Sequence, residues 1–295
     1  MVHCNASGQG TVMVLIFPDG VMDSLLNNPL VQSAVVPFVI GLAAVLVLRR
    51  PGWFWAGLAV PLGFYAAVYL INKGFDFFPL RSTNKIFLCG LAAVVIGLLL
   101  DVYRWNRRYV PPLLFVVAGV VALWLVWPRL TRLEGLELWA LVVGSVAYVG
   151  WLVAAMEGLR DRPLRADSAI LTIATGTGLA CVLGATALYG QLASAIAAAV
   201  GARWVMNGLG WHTPAGSTLA VPAAVLMGML GIGAVAYAKL PWIVLILLAL
   251  IPLLARVPLP QWRSWQVAAV TLAMCAVPAA LAIYLTYSAE GSPPY

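Results

Sequence analysis

Two stretches of the sequence carry side chains whose type and spacing suit chemistry. Arg203 stands in an alanine-rich apolar stretch, with Asn207 four residues on and therefore on the same helical face. A guanidinium presents a planar fork of donors that matches carboxylate or phosphate, so the pair reads as a binding point for an anionic group. The simpler alternative is that Arg203 snorkels to the lipid headgroups. The second stretch is Thr175-Gly176-Thr177-Gly178, polar and glycine-rich inside another apolar run. It either packs tightly, its threonines bonding back to their own helix, or unwinds and lines a solute site with freed backbone groups. Thr175, Gly176, Thr177, Gly178, Arg203 and Asn207 are thus the candidate substrate-binding residues.

Other chemistries lack their residues. Cys4, Cys89, Cys181 and Cys275 are scattered without metal-ligand spacing, and the two histidines, His3 and His212, fall in no clear apolar segment. Paired haem ligands and zinc-hydrolase sites are excluded on that pattern, and neither cofactor nor metal is expected. Ser145 and Ser194 lie in apolar runs with no histidine to serve as base. The carboxylates Asp19, Asp23, Asp76, Asp101, Glu134, Glu137, Glu157, Asp161, Asp167 and Glu290 all read as lying in loops, tails or the last turn of a span. Carriers that relay protons or cations usually place an acid inside the bundle. On this reading Asp167 caps a helix from outside, and Arg203 has no acid nearby to neutralise it. No catalytic residue is assigned. The one enzyme reading left is a lipid-modifying site in the Asp101–Arg108 or Glu157–Asp167 loop.

The elements that would position these residues follow from composition. In 295 residues, 63% are hydrophobic and 9% charged, with a mean hydropathy of +0.98. Soluble domains are about a quarter charged, so the chain is a polytopic membrane protein, all-α. Apolar stretches near the length of about 20 residues needed to cross a bilayer predict ten spans: 30–48, 51–71, 86–103, 110–127, 138–156, 169–189, 192–210, 219–238, 240–255 and 265–287. Residues 1–29 read as a non-membrane segment, with Met22 an alternative start, residues 30–287 as one bundle, and residues 288–295 as a short tail. The run from Ala169 to Ala202 is ambiguous between a hairpin of two spans and one span plus a half-inserted segment. Gly176, Ala180 and Gly184, spaced four apart, predict a close helix contact. Pro37, Pro61, Pro222, Pro252 and Pro278 predict kinks.

Positive charge favours the hairpin. With ten spans, one set of loops collects ten Lys and Arg residues and the other six, and that bias vanishes if the seventh span is removed. The richer set belongs in the cytoplasm, which puts both termini outside the cell membrane. Tryptophans near span ends, such as Trp105, Trp127 and Trp139, read as interface anchors. The net charge of +7 sits largely in short loops, where it meets anionic lipid rather than nucleic acid.

Two functions fit. The first is a carrier for a small solute or lipid-related molecule, built as two inverted five-helix halves with a site near spans 1, 6, 7 and 8. The second is a non-catalytic integral subunit or assembly factor, whose partners are the bilayer and other membrane subunits. A carrier would hold a polar cavity between those four spans; a subunit would be filled with side chains there.

Overall fold

The computed structural model describes residues 28–48, 55–74, 78, 80–103, 105–184, 186–211, 213–260 and 262–290. The N-terminal segment with Met22 and the last five residues of the tail lie outside them. The described residues form ten helices and no strand: α1 (Val31–Leu48), α2 (Trp55–Asn72), α3 (Ser82–Tyr103), α4 (Val110–Leu130), α5 (Gly135–Glu157), α6 (Pro163–Gly184), α7 (Ala187–Gly208), α8 (Gly216–Ala238), α9 (Trp242–Leu254) and α10 (Ser264–Glu290). Eight are long and apolar enough to cross a bilayer. Of the other two, α7 matches them in length at 22 residues but is less apolar, and α9 has 13 residues. The chain is an all-α, multi-pass membrane bundle.

Helix α8 is the axis. Ninety-four per cent of its most apolar stretch is buried, and α3, α5, α6 and α4 pack around it. On one flank α1 and α2 pack on each other and on α7; on the other, α6 lies between α7 and α10, and α10 holds α9. Small residues permit these approaches. A Cβ on Gly41 of α1 would sit 3.0 Å from the Ala199 carbonyl oxygen of α7, and one on Gly97 of α3 would sit 2.6 Å from the Ser217 carbonyl oxygen of α8. The α1–α2 and α4–α5 pairs recur five helices on as α6–α7 and α9–α10, but the α6–α10 pair has no counterpart between α1 and α5. The run from Ala169 to Ala202 is a hairpin of two full-length antiparallel helices. Near the turn Gly178 faces Ala193, and at the open end Asp167 meets Arg203.

At two helix starts the departure from the sequence expectation moves a charge inward. Helix α6 begins at Pro163, six residues before 169, because proline's fixed φ and missing N–H suit a first turn. Asp167 is therefore inside the helix and fully buried, which corrects its reading as an external cap. Helix α3 begins at Ser82 and takes in Lys85, whose Nζ donates to the Trp124 carbonyl oxygen at 3.0 Å and lies 4.8 Å from the centroid of its ring. Ahead of Pro37 the chain makes a π-helical turn, Val31–Val35, as expected where a proline interrupts the hydrogen-bond ladder.

Contacts between loops collect most of the charge at one end. Arg107 pairs with Asp161, Arg162 and Arg165 donate to the Arg256 and Val257 carbonyl oxygens, and Arg203 reaches the Ala56 carbonyl oxygen. Lys73, Lys85, Arg129, Arg132 and Lys239 belong to the opposite helix ends.

Candidate functional site

At the charged end, two polar networks grip the helices. The first contains Arg203, whose side chain is fully buried with Asp167. Its Nε donates to Asp167 Oδ1 at 3.1 Å, Nη1 to the Ala56 carbonyl oxygen at 3.1 Å, and Nη2 to the Thr213 and Pro214 carbonyl oxygens at 3.2 and 3.3 Å. Asn207 completes it: Nδ2 donates to Asp167 Oδ2 at 2.6 Å, while Oδ1 accepts from the Thr213 N–H and Oγ1 at 2.6 and 2.8 Å. One guanidinium thus ties α7 to α6, α2 and the segment entering α8. Arg203 neither snorkels nor stands unneutralised; Asp167 is the acid that the sequence reading placed elsewhere.

Thr175, Gly176, Thr177 and Gly178 do not join this network. They begin eight residues beyond Asp167, about 12 Å along α6. The helix runs through them without unwinding. Thr175 is exposed and the other three are buried. A Cβ on Gly176 would meet Leu248 of α9 and Ala279 of α10, so this small-residue face is a packing surface. Arg203 and Asn207 come together; the tetrapeptide lies apart from them.

The second network joins α3, α5 and α8. Asp101, in the last turn of α3, caps α8 from a neighbouring helix. Its Oδ1 accepts from the Ser217 N–H at 2.9 Å, and its Oδ2 from the Thr218 N–H and Oγ1 at 2.8 and 2.7 Å. A carboxylate there also meets the positive end of the helix dipole. Ser217 Oγ donates to Glu157 Oε1 at 2.7 Å, and Arg160 Nη1 donates to Glu157 Oε1 at 2.6 Å and Ser217 Oγ at 3.1 Å. Glu157 Oε2 is buried and finds no hydrogen-bond partner among the described residues. Beside this network Arg256 donates to the Ala155 carbonyl oxygen at 2.7 Å. Burial, and then the adjacent Arg162, hold its guanidinium below the usual arginine range.

Against the second network lies a polar pocket of about 480 Å³, lined by Leu100, Asp101, Trp105, Asn106, Arg107, Arg160, Asp161 and Gly216. Leu100 and Trp105 also line an apolar cavity of about 230 Å³ between α3 and α4, with Leu99, Val110, Leu113 and Val117. Ile96, Leu114 and Val117 pass from that cavity into a third of about 300 Å³, which reaches Cys89 and Trp124 and is floored by Val153 of α5 and Val221 and Val225 of α8. The three adjoin in turn and share these walls along a seam between α3 and α4, a crevice that exists because α4 leans on α5 and scarcely touches α3. Such an arrangement can hold an amphiphile: charged groups of both signs at the membrane surface, and an apolar slot running inward.

The sequence reading missed this crevice: it placed Asp101 at the end of a span and Arg160 in a loop, named the Asp101–Arg108 and Glu157–Asp167 loops only as alternative places for a lipid-modifying site, and gave neither residue a partner. The proximity of Ser217-Thr218 to a helix start was the available signal, since the first N–H groups of α8 need an acceptor. Among the described residues no cluster of His, Cys, Asp and Glu is suited to a metal ion. Compared with known proteins, the chain matches no family model and no curated protein, so the geometry of its own residues is what bears on its function.

Proposed function

We propose that the protein is a carrier for a lipid-related molecule, with the headgroup in the polar pocket and an apolar chain in the α3–α4 crevice. The observation that carries this reading is that the two spaces adjoin, with Leu100 and Trp105 lining both. An amphiphile needs a charged surface site and an apolar slot in contact, and a polar solute has no use for the slot. In this reading Arg203 and Asn207 hold the bundle together. The test is reconstitution into vesicles bearing a fluorescent lipid that an added reductant quenches. Accelerated loss of the protected signal, abolished by Ala92→Trp in the crevice, is the expected result. Unchanged lipid movement in both preparations would remove the carrier role.

The charged end is assigned to the cytoplasm of a cell membrane, with both termini outside, because ten Lys and Arg residues in one set of loops oppose six in the other. Single cysteines at Arg108 and Ser288 test it with an impermeant thiol reagent on whole cells. Labelling is expected at Ser288 and not at Arg108, and the reverse pattern would invert the protein.

A second reading, a non-catalytic subunit or assembly factor, is favoured by one observation: side chains fill the surroundings of α8 next to α6 and α7, and Arg203 has protein partners there. Purification in mild detergent separates the two. A stoichiometric membrane partner would support the subunit, and a single species that moves lipid would support the carrier.

A further inference from the structure

We infer that the headgroup taken by the polar pocket carries a phosphate, held by the free guanidinium edges of Arg160 and Arg107; this rests on reading the pocket and crevice as an amphiphile site. The argument is a balance of donors and acceptors. Both oxygens of Asp101 are occupied by the start of α8, and Asp161 is engaged by Arg107. Of the acids lining the pocket, Asp101 is thus committed through both oxygens and Asp161 through Oδ2, which leaves Asp161 Oδ1 as the one carboxylate oxygen of the lining without a partner among the described residues. The arginines have more to spare. Arg160 uses Nη1 alone, towards Glu157 and Ser217, and Arg107 uses Nη1 alone, towards Asp161. Among the described residues their Nε and Nη2 groups find no acceptor. The spare N–H groups of two guanidinium edges outnumber the single spare carboxylate oxygen, so the pocket selects an acceptor-rich anion, and phosphate matches a guanidinium edge with two parallel hydrogen bonds.

Arg160 is suited to this role because it is already held in place. Its side chain is 13% exposed and fixed by Glu157 and Ser217, so little rotamer freedom is lost on binding. The crevice fixes the source of the phosphate. Along α3 its lining runs from Leu88 to Leu100, about 18 Å of helix at 1.5 Å per residue. That is slightly more than half of a hydrocarbon core about 30 Å thick. A chain entering beside Trp105 is thus accommodated to the depth of one leaflet. The occupant is a phospholipid from the leaflet at the charged end, and not a free anion.

The test uses delipidated full-length protein in a neutral, phosphate-free detergent, with binding followed by native mass spectrometry and thermal shift. The probes are phosphatidic acid, diacylglycerol with the same chains, and inorganic phosphate. Phosphatidic acid is expected to bind at least about ten-fold tighter than diacylglycerol, as the gain of charge-assisted hydrogen bonds implies. Arg160→Lys combined with Arg107→Gln should erase that preference, because Lys keeps the charge but loses the second edge. Ala92→Trp, at an exposed crevice position, should weaken both lipids. Should the combined variant fail to fold, Arg107→Gln alone, at a side chain 70% exposed, should still narrow the preference. Equal binding of the two lipids, both lost in Ala92→Trp, would overturn the phosphate and leave the amphiphile reading standing. A preference that survives the arginine substitutions would overturn it as well. Protection by inorganic phosphate equal to that by phosphatidic acid, with Ala92→Trp silent, would sink both.

Discussion

Replacing Arg203 by Met leaves the Asp167 carboxylate buried with only Asn207 as partner and strips three carbonyl oxygens, of Ala56, Thr213 and Pro214, of their donor. Removing one member of a buried ion pair costs about 3–5 kcal/mol, mainly because the surviving charge is uncompensated. With both side chains fully buried, screening by solvent offers no relief, and a loss of about 4 kcal/mol is expected. Asp167→Leu should cost a similar amount. The double variant removes the stranded charge, so its loss should fall short of the sum of the singles by about 2 kcal/mol or more. Arg203→Lys should fall between, since an ammonium reaches Asp167 but cannot fork to three further carbonyls. The assay is equilibrium unfolding in mixed micelles of SDS and a mild detergent, with refolding checked, because irreversible melting would report a rate. A loss below about 1 kcal/mol for either single variant, or strict additivity in the double, would refute the ion pair as the lock between α6 and α7.

Four further outcomes are expected from the same unfolding assay. Gly97→Leu should destabilise by about 3 kcal/mol or abolish insertion, because the first added carbon already meets the Ser217 backbone at 2.6 Å. Asp101→Ala strands the Ser217 and Thr218 N–H groups and the Thr218 hydroxyl, and should cost about 2–3 kcal/mol. Gly176→Leu should cost about 2 kcal/mol through its clash with Leu248 and Ala279, whereas Val182→Leu, at an exposed residue, should stay within about 0.5 kcal/mol of the parent. Lys239→Gly should stabilise by up to about 1 kcal/mol, since Lys239 closes α8 in the left-handed region with φ 58°; an unchanged midpoint would show that the lysine's charge at the helix C-terminus offsets its backbone cost.

Much of the bundle was legible because bilayer thickness fixes span length. The ten apolar stretches became ten helices, and the doubtful seventh became a full-length partner of the sixth. The Asp167–Arg203 pair was legible in principle. Asp167 lies 17 residues before the end of α6 and Arg203 lies 16 residues after the start of α7, so an antiparallel hairpin brings them to one depth. Treating residue 169 as the first of its span hid this, although Pro163 marks the start. The crevice was not legible. Val95 and Leu99 of α3 and Val116 and Val120 of α4 are exposed yet as apolar as the buried core. In lipid, hydropathy does not tell a face that meets a neighbouring helix from one that meets acyl chains. Whether α4 leans on α3 or α5 depends on the fit of side chains, which composition does not encode.

The brevity of α9 has a consequence for the surrounding lipid. Thirteen residues give about 20 Å of helix, against a hydrocarbon core of about 30 Å. Ile243, Ile246, Leu250 and Leu253 form an exposed apolar face along it, suited to acyl chains, while Lys239 and Arg256 bracket its two ends. A span that falls short is matched by local thinning of the bilayer and by snorkelling of flanking charges, at a fraction of a kcal/mol per ångström. Were α9 to cross the bilayer, the lipids beside it would be drawn together and the membrane would dimple on that side of the protein. Bilayers of shorter acyl chains would then relieve this mismatch, so the protein should partition towards thinner membrane and lose stability as chain length grows.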